Sequence, residues 1–311
     1  MGRILQIRVS AWTYDEEEVL QAWPKLCALV WSQLDQWGPA GMKRGVTELA
    51  GYLPDALRFS ELSADVKKAL RPGTQKVADI LAAQWTEVSS TVDLLEDIRE
   101  TAFTEKDLCV IAMPAFSGRV PIVCEQRMEK LHGNGAKAIL VAVYGNRAID
   151  DTLLEMKELA LSRGFVPVAG MEAVAEHSVL RIVAVGRPDE EDVAQLQEFA
   201  QTIKTAIEQG DISSDLTVPG NTPYKERGHG PLRPYGNERC NSCGLCVWKC
   251  PVRAIPSDDP RNVDAEKCIT CMHCMTVCPR NARVLDPVIL AQVREKKAPA
   301  CSGRKENNLD L

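Results

Sequence analysis

The middle of the chain alternates between short apolar runs and amphipathic stretches. Continuous apolar runs indicate strands that are buried on both faces of a sheet; they are Leu108–Met113, Ala138–Tyr144 and Phe165–Ala169. Apolar positions at helical spacing predict helices between and after these runs; they cover Pro121–Leu131, Asp151–Ser162 and Pro188–Gln209. This alternation predicts an α/β fold with a doubly wound, mostly parallel sheet.

The first 90 residues follow a less regular pattern, and we expect them to be mostly helical. Arg3–Trp12 is a candidate for the first strand of the sheet, whereas Ser63–Leu70 and Lys76–Ala83 favour helices. Five of the six tryptophans lie here, at positions 12, 23, 31, 37 and 85. Trp23, Trp31 and Trp37 could form a core or a partner surface, and a core is favoured. Cys27 falls on an apolar helical stripe and is expected to serve packing.

The chain has 311 residues, 12 cysteines and a formal net charge of -6. Its length suits two or three domains. No apolar run reaches the roughly 18 residues that a membrane span needs, and the acidic residues at positions 15–18 do not suit a signal peptide. We therefore expect a cytoplasmic protein, where structural disulfides are rare. So many cysteines then indicate a metal centre.

Eight cysteines form two copies of the motif C-x2-C-x2-C-x3-C-P, offset by 28 residues. A [4Fe–4S] cluster needs four thiolates, and in two-cluster ferredoxins the fourth cysteine of each motif binds the other cluster. The spacing therefore predicts two [4Fe–4S] clusters with exchanged ligands. The first would bind Cys240, Cys243, Cys246 and Cys278, and the second Cys268, Cys271, Cys274 and Cys250.

Zinc suits this cysteine spacing less well than iron–sulfur clusters do. A zinc site usually takes two C-x2-C pairs, which would leave the remaining cysteines without a role. His273 lies between two predicted ligands and is interpreted as a bystander, since histidine replaces cysteine mainly in Rieske centres. Cys109 and Cys124 fall in a predicted strand and helix and are expected to be structural, whereas Cys301 follows a charged segment and is expected to be exposed.

Charge is distributed unevenly along the chain. Residues 220–285 contain ten Lys or Arg and six Asp or Glu, although the whole chain is acidic. This excess suits the negative charge of two clusters, and docking of an acidic partner is the alternative. The acidic balance disfavours nucleic acid as a partner. The sequence has no P-loop, G-x-S-x-G or H-E-x-x-H motif and no candidate catalytic residue.

Residues 91–225 and the cysteine motifs together resemble the fused flavodoxin–ferredoxin proteins of anaerobic prokaryotes. The matching segments are Pro114–Pro121, Tyr144–Asp151 with Leu153 and Leu154, Glu176–Ser178, Gly186–Pro188 and Val218–Glu226. The resemblance implies a flavodoxin-like domain followed by a small α+β ferredoxin-like domain with two clusters. It also implies that an FMN ring would lie beside Phe116, Ser117, Gly118, Tyr144, Gly145 and Asn146. His177 would then be a candidate proton carrier, although a structural histidine is the favoured interpretation.

The phosphate loop of flavodoxins has no good counterpart in this chain. Arg71–Gln75 precedes a helix but lacks the leading hydroxyl residues. If Arg3–Trp12 is instead the first strand, the carboxylates at positions 15–18 follow it and would repel a phosphate. Both placements disfavour FMN.

The favoured function is electron transfer through the two clusters, with the α/β domain docking a redox partner protein. An FMN-dependent oxidoreductase and a cluster-stabilised sensing or interaction protein are the alternatives. The predicted organisation is an N-terminal region at 1–90, an α/β domain at 91–212, a linker at 213–230, a ferredoxin domain at 231–285 and a charged tail at 286–311.

Overall fold

The computed structural model describes residues 4–8, 73–85, 88–213, 215–228 and 230–311. These residues belong to two compact units. The first comprises 4–8, the described part of 73–230, and 293–311, and the second comprises 231–292. The predictions for Trp12, Trp23, Trp31, Trp37, Cys27 and Ser63–Leu70 lie outside the described residues.

The first unit contains a parallel sheet. Its strands and those of a small side sheet are β1 (Ile4–Arg8), β2 (Val88–Asp93), β3 (Thr101–Ala102), β4 (Leu108–Pro114), β5 (Leu131–His132), β6 (Lys137–Tyr144) and β7 (Val166–Val174). The main sheet has the order β2-β1-β4-β6-β7, all parallel, while β3 pairs with β5. This is the 2-1-3-4-5 order of doubly wound flavodoxin-like sheets. The α/β fold class predicted from the sequence is therefore confirmed.

Helices join the strands at or near their predicted positions. They are α1 (Gly73–Ala82), α2 (Ile122–Met128), α3 (Thr152–Ser162) and α4 (Glu190–Gln209). Pro121 is the N-cap of α2 and not its first helical residue. The α4 helix begins with a capping box between Asp189 and Asp192, and it ends at Gly210 in the left-handed conformation. These signals define its length because they satisfy the backbone groups at both helix ends.

The core lies between this sheet and its helices. The β4 and β6 strands are buried along almost their whole length, as expected for strands covered on both faces. Val77 and Leu81 of α1 pack with Val110 of β4 and Leu196 of α4 in one apolar cluster. Cys109 and Cys124 are fully buried and form no disulfide.

The second unit is small and contains little regular structure. It includes β8 (Tyr235–Gly236), α5 (Leu245–Trp248), α6 (His273–Thr276) and β9 (Arg283–Val284). The β8 and β9 strands form an antiparallel pair, and α5 and α6 are single helical turns. The cysteine motifs surround these two short helices.

The segment after this unit rejoins the α/β sheet. The α7 helix (Pro287–Lys297) is followed by β10 (Asn308–Asp310), which pairs antiparallel with β7. Cys301 is only 4% exposed, so the expectation that it is exposed was wrong. The physical reason is that the charged tail folds back on the sheet, a long-range contact that its polar composition does not reveal.

Candidate metal centres and the edge of the α/β sheet

The two cysteine motifs have the same backbone geometry. Three pairs of positions separated by 28 residues adopt positive φ angles; they are Ser242 and Thr270, Gly244 and Met272, and Arg253 and Asn281. Positive φ is uncommon for residues other than glycine and costs free energy. The same conformation recurs at matching positions of the two motifs. This recurrence indicates that each motif needs tight backbone turns to direct its successive cysteines inward.

The first group of cysteines lines one small cavity. Cys240, Cys243 and Cys246 come from the first motif, and Cys278 comes from the second. Cys246 is buried, whereas Cys243 is exposed. The structure therefore brings together the four residues that the exchanged-ligand pattern predicts for the first cluster.

The second group consists of Cys250, Cys268, Cys271 and Cys274. Burial raises the pKa of Cys274 to about 12, and the neighbouring Cys268 and Cys250 act in the same direction. Burial also raises the pKa of Cys271, and Cys274, Cys250 and Cys268 add to this effect. Charges act strongly on one another only at short range, so Cys250 of the first motif lies near three cysteines of the second.

Backbone N–H groups contact the cysteine that each motif contributes to the other group. The N–H of Ala254 donates to Cys250 Sγ at 3.2 Å, and the N–H of Ala282 donates to Cys278 Sγ at 3.2 Å. Hydrogen bonds to ligand sulfurs help to set the reduction potential of iron–sulfur clusters. His273 is buried, and its backbone N–H donates a hydrogen bond to the sulfur of Cys271. This hydrogen bond lowers the pKa of Cys271 and so opposes the effect of burial.

These two groups suit [4Fe–4S] clusters. Each offers four cysteines, the ligand number of such a cluster, and the described cysteines form no disulfide. Several of them are too deeply buried to remain thiolates alone, since burial disfavours a charged group. Bound iron would stabilise these thiolates, because a metal ion deprotonates the cysteines that coordinate it.

The residues predicted to flank a flavin ring lie at the carboxyl edge of the α/β sheet. In the turn after β4, Ser117 Oγ donates to the carbonyl of Gly228 at 3.3 Å. Phe116 forms an isolated bridge across the same turn with Arg119. Gly118 has φ 80°, and a Cβ at this position would lie 2.0 Å from Asp150 Oδ2. The linker and the neighbouring loop therefore already contact this turn.

The loop after β6 is equally engaged. Asn146 Nδ2 donates to the carbonyls of Cys301 and Gly303, both at 2.7 Å, and its Oδ1 accepts from the N–H of Lys305 at 3.3 Å. A Cβ on Gly145 would lie 2.7 Å from His177 Cβ. Tyr144 is buried, which raises its pKa to about 12.

The linker is held on this edge by ion pairs. Arg119 forms two hydrogen bonds of 2.8 Å to the buried carboxylate of Glu155, and it donates to the carbonyl of Lys225 at 2.6 Å. Arg227 donates to the same carboxylate at 2.6 Å. Asp151 accepts from the N–H of Lys225 at 2.7 Å. The linker therefore lies against both loops that would otherwise flank a flavin.

This arrangement does not fit an FMN ring. The side-chain donors of Ser117 and Asn146 are used by the chain itself. His177 Nδ1 accepts from the N–H groups of Val179 and Leu180, and burial lowers its pKa to about 4. A neutral histidine with these contacts is a structural residue rather than a proton carrier at neutral pH. The carboxylates at positions 15–18 lie outside the described residues.

One buried cation near the cysteines was not singled out by the sequence analysis. Arg283 lines the cavity of the first cysteine group. Comparing the two motifs residue by residue would have identified it, because the position 28 residues earlier is Ile255.

Fold and site together define the class of this protein, a flavodoxin-like α/β unit joined to a ferredoxin-like module. The family described as "4Fe-4S dicluster domain" matches residues 234–302. The chain is 34% identical over 90 residues to pyruvate synthase subunit PorD of Methanocaldococcus jannaschii, covering 28% of this chain and 96% of that protein. The chain therefore belongs to the 4Fe-4S dicluster ferredoxin family.

Two further similarities cover a larger share of the chain. An uncharacterized protein of Methanothermobacter thermautotrophicus is 27% identical over 184 residues, which are 53% of this chain and 40% of that protein. The chain thus spans about two fifths of the length of that relative. Oxidised flavodoxin 1 of Bacillus cereus is 16% identical, with a TM-score of 0.31 over 43% of this chain and 90% of the flavodoxin. Among the described residues, no helix is both long and apolar enough to cross a membrane.

Proposed function

We propose that this protein transfers single electrons through two [4Fe–4S] clusters. Cys240, Cys243, Cys246 and Cys278 would hold the first, and Cys250, Cys268, Cys271 and Cys274 the second. The observation that carries the proposal is the grouping of the cysteines, in which each motif contributes its fourth cysteine to the other group. This is the ligand pattern of two-cluster ferredoxins.

The surrounding residues would hold the clusters and control their access to water. When bound, each cluster accepts and releases one electron at a time. Each group has one buried cysteine, Cys246 or Cys271, but only the first group has an exposed one, Cys243. We therefore propose that electrons enter or leave through the first cluster, since a cysteine that would hold it is exposed.

Protein partners are part of this proposal. The relative from M. jannaschii is a subunit of pyruvate synthase by its name, which favours a partner that is itself a redox enzyme. FMN is not part of the proposal, because the side-chain donors of Ser117 and Asn146 are engaged with the linker and the tail. The FMN-dependent oxidoreductase therefore gains no support from these residues.

We propose that a partner docks on the α/β unit at the loop after β7. Ile182 is 50% exposed and Val185 is 63% exposed, and apolar side chains on such a loop suit a protein interface. Adding the pyruvate synthase of M. jannaschii, prepared without PorD, should protect residues 180–189 from hydrogen exchange. Ile182→Ser with Val185→Ser should abolish that protection, whereas the exposed control Val288→Ser should not. Protection confined to the second unit would contradict docking at this loop.

The cluster proposal is tested by composition. We expect the anaerobically purified chain to contain about eight iron and about eight sulfide ions, as two [4Fe–4S] clusters require, and no flavin after acid release. One flavin per chain would restore the oxidoreductase hypothesis. Bound zinc without sulfide would refute the cluster assignment, since zinc sites contain no inorganic sulfide.

A further inference from the structure

Arg283 is a buried cation in the second unit. Its side chain is held by backbone carbonyls: Nη2 donates to Pro234 at 2.6 Å, and Nη1 donates to Pro260 at 2.7 Å. Longer contacts join Nη1 to the carbonyls of Arg261 and Asn262. The residue is only 2% exposed, so its guanidinium group has a defined position.

The hydrogen bonds of Arg283 leave its positive charge uncompensated. Among the described residues, no carboxylate forms an ion pair with it, and its Nε is buried without a hydrogen-bond partner. A buried cation is costly unless a negative group lies close to it. We therefore expect a negatively charged group other than the described carboxylates to lie next to the guanidinium group of Arg283.

Both cysteine groups lie close to this cation. Arg283 lines the cavity of Cys240, Cys243, Cys246 and Cys278. On the other side, β9, which begins at Arg283, packs against α6, which contains Cys274. Arg283 therefore lies close to cysteines of both groups.

The internal repeat shows that the cysteine motif does not require this cation. The equivalent position of the first motif holds Ile255, which is buried like Arg283. The same backbone geometry can therefore accommodate an apolar side chain at this point. The second motif differs by placing a single positive charge between the two groups.

We propose that Arg283 is a positioning residue that raises the reduction potentials of both clusters. This inference rests on the proposed function, because the negative charge that would compensate Arg283 is that of the two clusters and their cysteine thiolates. Reduction adds negative charge to a cluster, and a nearby buried cation stabilises the more negative state. Its unpartnered Nε–H is available to donate to a cluster sulfur.

The test is a potentiometric titration of the anaerobically reconstituted chain, followed by electron paramagnetic resonance. Arg283→Gln and Arg283→Ile should shift both potentials to more negative values. Arg280 also lines the cavity of the first group but is exposed, so it is a control for burial. Arg280→Gln removes an equal charge and should cause a smaller shift, because water screens an exposed charge. Arg283→Lys should recover part of the wild-type potential, since it restores the charge without the planar group.

A measurement on the wild-type chain covers the case in which these variants fail to fold. With nitrogen-15 in the guanidinium groups of arginine, the reduced protein should show nuclear coupling between a cluster spin and arginine nitrogen. Absence of that coupling, or equal shifts for Arg283→Gln and Arg280→Gln, would overturn the role of Arg283. Absence of clusters from the wild-type chain would instead refute the proposed function.

Discussion

Cys278→Ser is expected to lower the iron content of the anaerobically purified chain by about half, to about four iron ions. Although Cys278 belongs to the second motif, it lines the cavity formed by Cys240, Cys243 and Cys246. Its loss should therefore remove the spectroscopic signal that Cys246→Ser also removes. Serine is a weaker ligand for iron than a thiolate, so the affected cluster should be lost or become unstable.

The reciprocal variant makes this prediction specific. Cys250→Ser should remove the same signal as Cys274→Ser, because these two residues lie in the second group. Cys124→Ser is a matched control, since Cys124 is a fully buried cysteine outside both groups, and it should keep the full iron content. The exchanged-ligand pattern would be refuted if Cys278→Ser and Cys274→Ser removed the same signal.

Arg187→Met is expected to destabilise the α/β unit by about 3 kcal/mol, at the lower end of the range for breaking a buried ion pair. The side chains of Arg187 and Asp192 are 5% and 0% exposed. Arg187 Nε donates to Asp192 Oδ2 at 2.7 Å, and Nη1 donates to the carbonyl of Lys305 at 2.6 Å. The substitution leaves the buried Asp192 carboxylate with weaker compensation. The remaining contacts are Asn307 Nδ2 at 2.9 Å, the N–H of Asp189 at 2.9 Å and Arg304 Nη2 at 3.5 Å.

The effect should be visible in denaturation and in hydrogen exchange. Urea unfolding of the cluster-containing chain, followed by circular dichroism, measures the loss of stability. Residues 308–310 should exchange faster, because Arg187 also anchors the tail next to β10. The exposed pair of Lys130 and Asp97 provides the control, and Lys130→Met should cost no more than about 1 kcal/mol. Similar losses of stability for both variants would contradict the stabilising role of the buried pair. Unchanged exchange of residues 308–310 in Arg187→Met would show that Arg187 does not anchor the tail.

The sheet could be predicted from the sequence because its strands carry a strong local signal. Leu108–Met113 and Ala138–Tyr144 are uninterrupted apolar runs that lie in β4 and β6. The acidic start of α4 and Gly210 at its end are also local signals. The β7 strand extends beyond Ala169 to Val174, because sheet pairing with β6 continues through residues whose mixed pattern is a weak strand signal.

The tail and the linker could not be predicted in the same way. Asn307 accepts from the N–H of Val174 at 2.8 Å, and Arg227 contacts Glu155; each pair is far apart in sequence. In the sequence, polar residues at such positions cannot be distinguished from ordinary surface residues. Their role depends on burial and on partners that only folding brings near, so neither the burial of Cys301 nor the covered edge of the sheet could be anticipated.

By itself, the sequence determined the α/β class and the presence of a 4Fe-4S dicluster domain. Apolar periodicity and cysteine spacing are local signals that can be recognised within short segments of the chain. The tertiary structure alone decided which polar groups remain available. It uses Ser117 and Asn146 to hold the linker and tail, and it buries Arg283 beside the cysteines. The physical reason is that the cost of burying a charge or a hydrogen-bonding group depends on its neighbours in space.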